Sequence, residues 1–342
     1  MTELHTYRIP LRVRFRGIEV REGLVWRGPA GWAEWSPFLD YGGEEIVPWL
    51  RAAREAAEIG WPAPVRDRVP VNVTVPVVGP ETAHRLVTES GCRTAKVKVA
   101  DPRADPSDDE ARLEAVRDAL GPDGRLRIDA NGAWDVDTAR RLLGRFSRFG
   151  LEYAEQPCAR TEELADLRRR LAHDGVDVPI AADESIRRSG DPERVVALEA
   201  ADVAVLKVQP LGGVRACLEL AERLALPVVV SSALETSVGL AAGLALAAAL
   251  PDLPYACGLD TGRLLSADLV DDPLIAVGGA IVVRRPEPTD ARLRAQAVDA
   301  ESAARWQLRL EQTARLAAEE EHRPHPWQAT PEETGTAGET DR

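Results

Sequence analysis

The lysines of this chain are conspicuous by their scarcity. Of 43 basic residues, only Lys96, Lys98 and Lys207 are not arginine. An arginine serves a surface role as well as a lysine does, but its guanidinium stays protonated, whereas a lysine can give up its proton and act as a base. Lys96 and Lys98 stand two apart in the run AKVKV (95–99), so on a strand both side chains leave the same face. Three acids occupy comparable places further on. Asp129 closes LRID (126–129), Glu155 closes LEYAE (151–155) and Asp183 lies in PIAADE (179–184), ahead of Lys207 in VAVLKV (203–208). Carboxylates with no His or Cys among them form a hard oxygen set that suits Mg²⁺. A cation flanked by amines is equipment for removing a proton next to a substrate carboxylate. A solitary strand-end acid caps a helix or pairs with arginine about as often, and a solitary lysine is usually solvated. Recurrence in consecutive units favours the metal-and-base reading. A second ammonium and a cation nearby would each disfavour protonated lysine, lowering its pKa from about 10.4 toward the useful range of roughly 7–8. The carboxylates would partly offset that shift.

The elements that must hold these groups follow a regular beat from residue 71 onward. Short β-branched runs at 71–77, 95–99, 126–129, 151–155, 179–184, 203–208, 227–232 and, more weakly, 255–258 read as strands. Segments with helical periodicity lie between them, at 108–120, 137–149, 161–172, 192–200 and 214–224, several opening on a Ser, Thr or Asp cap or an early Pro. From Asp129 to Glu155, Asp183 and Lys207 the intervals are 26, 28 and 24 residues, room for one strand, one helix and two loops. Eight such units predict an α/β fold of the (β/α)8, TIM-barrel type, with the charged residues at the C-terminal strand ends where barrels of this type carry their active sites. An open doubly wound sheet is less suitable, since no GxGxxG loop follows an early strand.

Residues 1–70 read as an α+β capping domain: strand-like alternation at 12–15, a hairpin in LVWRGPAGWAEWS and a helix over 46–59. The barrel is expected over 71–274. IAVGGAIVV (275–283) offers a further strand pair, and 275–318 is expected to return to the capping domain. The polar, Pro/Thr/Glu-rich tail 319–342 is expected to be disordered.

Composition narrows the partners. A formal charge of −13 and a pI near 5.0 argue against nucleic acid, which needs a basic face. Cys92, Cys158, Cys217 and Cys257 are far apart and form no CxxC pair, so a zinc cluster is not expected. The opening MTELHTYRIP has no apolar leader, and the longest apolar run, 238–250, is too short to span a bilayer. A cytoplasmic protein with no membrane partner is the expectation.

The motifs KVK (96–98), DAN (129–131), EQP (155–157), DES (183–185) and KVQPLGG (207–213), in this order, resemble the muconate-lactonizing subgroup of the enolase superfamily. The resemblance spans the chain to about residue 285. It implies Mg²⁺ held by Asp129, Glu155 and Asp183, with Lys98 as the base and Lys207 on the opposite face. Lys96, Asn131, Gln156 and Glu184 become supporting residues, Glu184 as a partner that orients Lys207. The segment GWAEWSPFLDY (31–41) resembles the mobile loop that closes the barrel mouth. SSALETSVG (231–239) and GLDTG (258–262) resemble loops that hold a succinyl carboxylate, which makes Ser231, Ser232 and Gly258 candidate contacts; plain turn chemistry explains them equally well. The implied reaction is dehydration of a succinyl-bearing cyclohexadiene carboxylate. Racemisation of an N-succinylamino acid is the close alternative. A sugar-acid dehydratase would call for a histidine base, yet His5, His84, His173, His322 and His325 miss the barrel-strand ends. A non-catalytic metal-binding barrel would have no need of Lys98 and Lys207 together.

Overall fold

The computed structural model describes residues 3–188 and 190–321. The chain begins with an antiparallel sheet of β1 (Leu4–Phe15), β2 (Ile18–Gly28) and β3 (Gly31–Trp35), β2 lying between the other two. The segment 46–59, read as one helix, is three pieces: a 3-10 turn at Gly43–Ile46, α1 (Val47–Arg54) and a π-turn at Glu55–Ile59. After β4 (Arg68–Pro70) come β5 (Val73–Val75), α2 (Pro80–Ser90), β6 (Thr94–Lys98), α3 (Pro106–Leu120), β7 (Arg125–Asp129), α4 (Val136–Phe146), β8 (Leu151–Glu155), α5 (Thr161–Asp174) and β9 (Ile180–Ala182). Then follow α6 (Glu184–Arg187), α7 (Arg194–Ala197), β10 (Val203–Leu206), α8 (Val214–Leu224), β11 (Val228–Val230), α9 (Ser237–Ala249), β12 (Ala280–Val282), α10 (Asp290–Ala295) and α11 (Ala300–Glu321).

Strands β5 to β11 form a parallel sheet in chain order. It closes through an eighth stave made of single parallel bridges, Ser231 to Gly258 on one side and Val71 to Cys257 on the other. The weakly marked run at 255–258 therefore does close the barrel, with too few ladder bonds to count as a strand. The helix read at 192–200 shrinks to the single turn of α7. Elsewhere local signals act as expected: Asp105 and Asp108 build a capping box ahead of α3, and Asp135 accepts from Thr138 N at 2.7 Å to start α4.

Alternation along the strands sorts side chains into two layers. Leu126 and Ile128 of β7, and Ala204 and Leu206 of β10, face the helices in the main core. Val203 and Val205 instead pack with Tyr153, Ala181 and Val229 inside the barrel. Arg127, with no exposed surface, ties the barrel floor together. It donates to Glu152 Oε2 at 2.6 Å, Asn72 Oδ1 at 3.1 Å and Ala256 O at 2.7 Å, and lies over the Tyr153 ring at 4.7 Å. Glu152 meets it because the β7–β8 register slips there, Leu126 facing Leu151 and Arg127 facing Tyr153.

The pair read at 275–283 does not join the N-terminal sheet. β12 pairs instead with β4, just ahead of the first barrel strand. The module around β1–β3 is completed by α11, where Trp306 meets Trp35 edge-on at 5.7 Å and Arg309 donates to the carbonyls of Pro37 and Tyr41. α11 runs to Glu321, so residues 319–321 are helical rather than part of a tail. The remainder of that tail lies outside the described residues.

A buried polar seam fixes the module on the barrel. Glu34 accepts from Tyr7 Oη and Ser36 Oγ, both at 2.7 Å, and from Thr236 N at 3.1 Å and Gly239 N at 3.0 Å, where its charge caps the start of α9. Arg21 donates to Leu234 O at 2.9 Å and Ser36 Oγ at 2.9 Å. Replacing Arg127 by Met should leave Asn72 and the Ala256 carbonyl short of a donor and Glu152 without its partner. We expect a loss of about 2–4 kcal/mol, read from urea unfolding of variant and parent.

Candidate active site

The three acids end neighbouring staves. Asp129 and Glu155 are register partners on β7 and β8, and Asp183 follows β9. All are buried, each at most 1% exposed. Lys98 ends β6 and Lys207 follows β10. In the order β5 to β11 plus the closing stave these are the second and sixth of eight, so the two lysines face one another across the mouth, with the acids on the staves between them. This follows from topology and strand parity alone.

Each acid carries a cation. Lys96 Nζ lies 2.7 Å from Glu155 Oε2 and 3.4 Å from Asp129 Oδ2. Lys98 donates to Asp129 Oδ2 and, at 2.7 Å, to Asn131 Oδ1. Lys207 Nζ donates to Asp183 Oδ2 at 2.6 Å. Arg187, which the sequence did not single out, donates to Asp183 Oδ1 at 2.8 Å and Glu184 Oε1 at 2.6 Å. Glu184 also accepts from Asn131 Nδ2 at 3.3 Å. Lys207 is thus oriented by Asp183, not by Glu184 as the resemblance implied, because Arg187 draws the Glu184 carboxylate to itself. Gln156 turns away from the mouth. With φ at +39°, it straps two strand ends: its Oε1 accepts from Asp183 N at 3.0 Å and Ser185 N at 3.1 Å, and its Nε2 donates to Ser185 Oγ at 2.8 Å.

Electrostatics distinguishes the acids. Burial alone would raise Asp129, but Lys98 and Lys96 outweigh it and hold the carboxyl well below the usual range. Asp183 is held low in the same way by Arg187 and Lys207 against its burial. Glu155 goes the other way: burial, then the Asp129 charge, push it up to about 7 although Lys96 opposes them. Lys96, expected to be depressed, is raised instead, since Glu155 and Asp129 outweigh its burial.

Lys96, Lys98, Asp129, Asn131, Arg187 and Lys207 line a common cavity at the barrel mouth. Ser231, Ser232 and Gly258 lie on its wall. Ser232 Oγ is engaged with Thr261 Oγ1 at 2.7 Å, while Gly258 lies so near Ser231 that a Cβ there would sit 2.7 Å from Ser231 Oγ. Phe15, Arg16 and Phe38 reach the cavity from the N-terminal module. Of these, Phe38 lies in the segment singled out as a closing loop; Phe15 and Arg16 carry no signal in the sequence. No histidine among the described residues lines the cavity.

The donor chemistry fits a hard divalent cation: three carboxylates from adjacent staves, with Glu155 Oε1 buried and lacking a hydrogen-bond partner among the described residues. As they stand, no three acidic, His or Cys side chains among the described residues converge on one cation position. Lys98 and Lys207 hold the Oδ2 atoms of Asp129 and Asp183.

A closed barrel with an N-terminal α+β module and acids and lysines at its mouth is the architecture of the enolase-like proteins. The family model for the enolase C-terminal domain-like fold matches residues 80–288, and that for the enolase N-terminal domain-like fold matches residues 6–57. An o-succinylbenzoate synthase from Thermobifida fusca is 64% identical over 94% of this chain and 98% of its own length. One from Mycolicibacterium smegmatis is 51% identical over 87% of this chain and 90% of its own. The chain belongs to the o-succinylbenzoate synthase family of the enolase superfamily. Among solved structures, 2-chloromuconate cycloisomerase from Rhodococcus opacus 1CP shares the fold, with a TM-score of 0.73 at 20% identity over 87% of this chain and 99% of that one.

The raised Glu155 makes a pH prediction for the metal-free protein. A carboxyl that titrates near 7 when folded and near 4.5 when unfolded stabilises the fold below about pH 4.5 and loses that contribution as pH rises through 7. Glu155→Gln should therefore gain stability relative to the parent between pH 5 and 8. Parallel urea midpoints across that range would sink the assignment if the difference stayed flat.

Proposed function

We propose that this chain dehydrates 2-succinyl-6-hydroxy-2,4-cyclohexadiene-1-carboxylate to 2-succinylbenzoate, a step of menaquinone biosynthesis, as a cytoplasmic Mg²⁺-dependent lyase. The observation that carries the reading is the pair Lys98 and Lys207 on opposite staves, with Asp129, Glu155 and Asp183 between them. The relatives named above support the choice of substrate.

Asp129, Glu155 and Asp183 would hold the divalent ion. When bound it supplies Lewis-acid stabilisation of the negative charge that develops on the substrate carboxylate. The chain's own groups do the proton work. To act as a base, Lys98 must leave Asp129 Oδ2 and present a free amine to the cavity. It takes the proton α to the carboxylate, and the C–H electron pair moves into the carboxylate system. As the C–O bond to the ring hydroxyl breaks, the same ammonium returns its proton to the departing oxygen on the same face, and water leaves. The ring is aromatic at the end, so the elimination is strongly downhill. Lys207, held by Asp183 on the other side, places a positive charge against the intermediate and can engage the forming ring as a cation–π contact. Lys96 remains paired with Glu155 and offsets its charge. Ser231, Ser232 and Gly258 are proposed contacts to the succinyl arm.

Two lysines on opposite faces are also what α-proton racemisation of an N-succinylamino acid requires. Product analysis separates the readings: formation of the aromatic acid against deuterium exchange at an amino acid α-carbon.

Lys98→Ala should lower kcat for dehydration by at least about a thousandfold while the far-UV circular dichroism stays that of the parent. Retained turnover would refute the role of Lys98. Treatment with EDTA should abolish formation of 2-succinylbenzoate, and added Mg²⁺ should restore it.

A further inference from the structure

Five cationic side chains line the cavity, and four of them are held by buried acids. Lys96, Lys98, Lys207 and Arg187 pair with Asp129, Glu155 or Asp183. Arg16 is different. Among the described residues its one carboxylate neighbour is Asp40, whose side chain is 63% exposed and whose Oδ1 lies 3.4 Å from Arg16 Nη1. Its Nη2 also donates to Tyr41 Oη at 3.0 Å. A guanidinium has five N–H donors in a fixed fork shaped for a carboxylate, so most of this capacity is uncommitted.

Arg16 is nevertheless held firmly in place. The guanidinium stacks over the Phe38 ring at 4.1 Å and near the Tyr41 ring at 5.2 Å. Its backbone is also under constraint. Phe15 pairs with Ile18, so Arg16 and Gly17 alone make the β1–β2 turn, with φ of +50° and +78°. Two positive φ values fit the I′ hairpin pattern, whose first position favours Asn or Gly and disfavours a long side chain. Strain of this kind persists where surrounding structure imposes it, often at ligand sites. The preceding residue, Phe15, lies against the proposed base, with Lys98 Nζ 5.3 Å from its ring centroid. The turn therefore brings an available cation to the same cavity wall as the reacting lysine.

We propose that Arg16 binds the second, distal carboxylate of a dicarboxylate substrate, and that this contact selects succinyl-bearing acids over monoacids. The inference rests on the proposed dehydratase reading for its substrate, and it holds equally for an N-succinylamino acid. The reacting carboxylate is left to the acid and lysine cluster. Charge on the far end of the substrate is matched from the N-terminal module, so the capping strands take part in recognition.

The test compares binding rather than turnover. Titration calorimetry in Mg²⁺ buffer would use 2-succinylbenzoate and its ester methylated on the succinyl carboxylate, and the same pair for N-succinylphenylglycine. The parent should bind at least one diacid tenfold or more tightly than its ester. Arg16→Met should bring that ratio close to one by weakening the diacid alone, and Arg16→Lys should recover part of it. Arg16→Gly relieves the turn, so its thermal transition should equal or exceed that of the parent while its binding follows Arg16→Met. An unchanged diacid-to-ester ratio in Arg16→Met would overturn the proposal. Equal loss on diacid and ester would also overturn it, since it would mean that Arg16 only packs Phe38 and Tyr41. A parent that prefers neither diacid has the same consequence. A preserved ratio for N-succinylphenylglycine with no dehydration activity in the parent would instead defeat the dehydratase reading and leave Arg16 standing.

Discussion

Buried like charge is the constraint from which the rest of this structure follows. Asp129, Glu155 and Asp183 sit within electrostatic reach of one another on adjacent staves, and each is almost wholly removed from water. Isolated carboxylates in such a place would take up protons or disrupt the fold. Here four cations answer them, and the answer is uneven. Asp129 and Asp183 each have two cations close by and stay ionised; Glu155 shares Lys96 with Asp129 and is raised. The rim is thus held together by the same groups that the proposed chemistry would have to rearrange, because Lys98 cannot be both the counter-ion of Asp129 and a free base.

Strand parity is what makes such a rim possible. A side chain two residues along a strand returns to the same face, so Arg127 and Asp129 both point into the barrel while Leu126 and Ile128 pack under the helices. The inner positions grade from polar groups around Arg127 at the floor, through the small cluster of Val203, Val205 and Val229, to charge at the mouth. The slip in the β7–β8 register lets Glu152 meet Arg127 while Asp129 and Glu155 stay side by side.

The N-terminal module bears on the site through a different kind of contact. Glu34 and Arg21 bind backbone groups of the barrel loop that carries Ser231, Ser232 and Leu234, so the wall of the cavity is tied to the module by buried hydrogen bonds. Buried hydrogen bonds to charged groups are costly to break singly. Their presence at this seam gives the β1–β2 turn a fixed frame from which to reach the mouth.

Much of this was legible in the amino-acid order. An apolar β-branched run that ends in a charge marks a barrel strand and its mouth end together, and Lys96, Lys98, Asp129, Glu155 and Lys207 all lie near or just beyond such strand ends. Repeated spacing specified the barrel because each unit is a local object with its own period and caps. Other features depend on contacts between residues far apart in the chain, and local pattern carries no record of them. Arg16 and Arg187 are ordinary members of an arginine-rich composition until folding sets one at a turn above the cavity and the other beside Asp183. Gln156 follows Glu155 in sequence, yet a positive φ swings it into a strap. The partner of β12, the closing bridges of the eighth stave and the pairing of each ammonium with its acid were likewise decided in three dimensions, where hydrogen-bond satisfaction and charge neutrality select among alternatives that the chain alone leaves open.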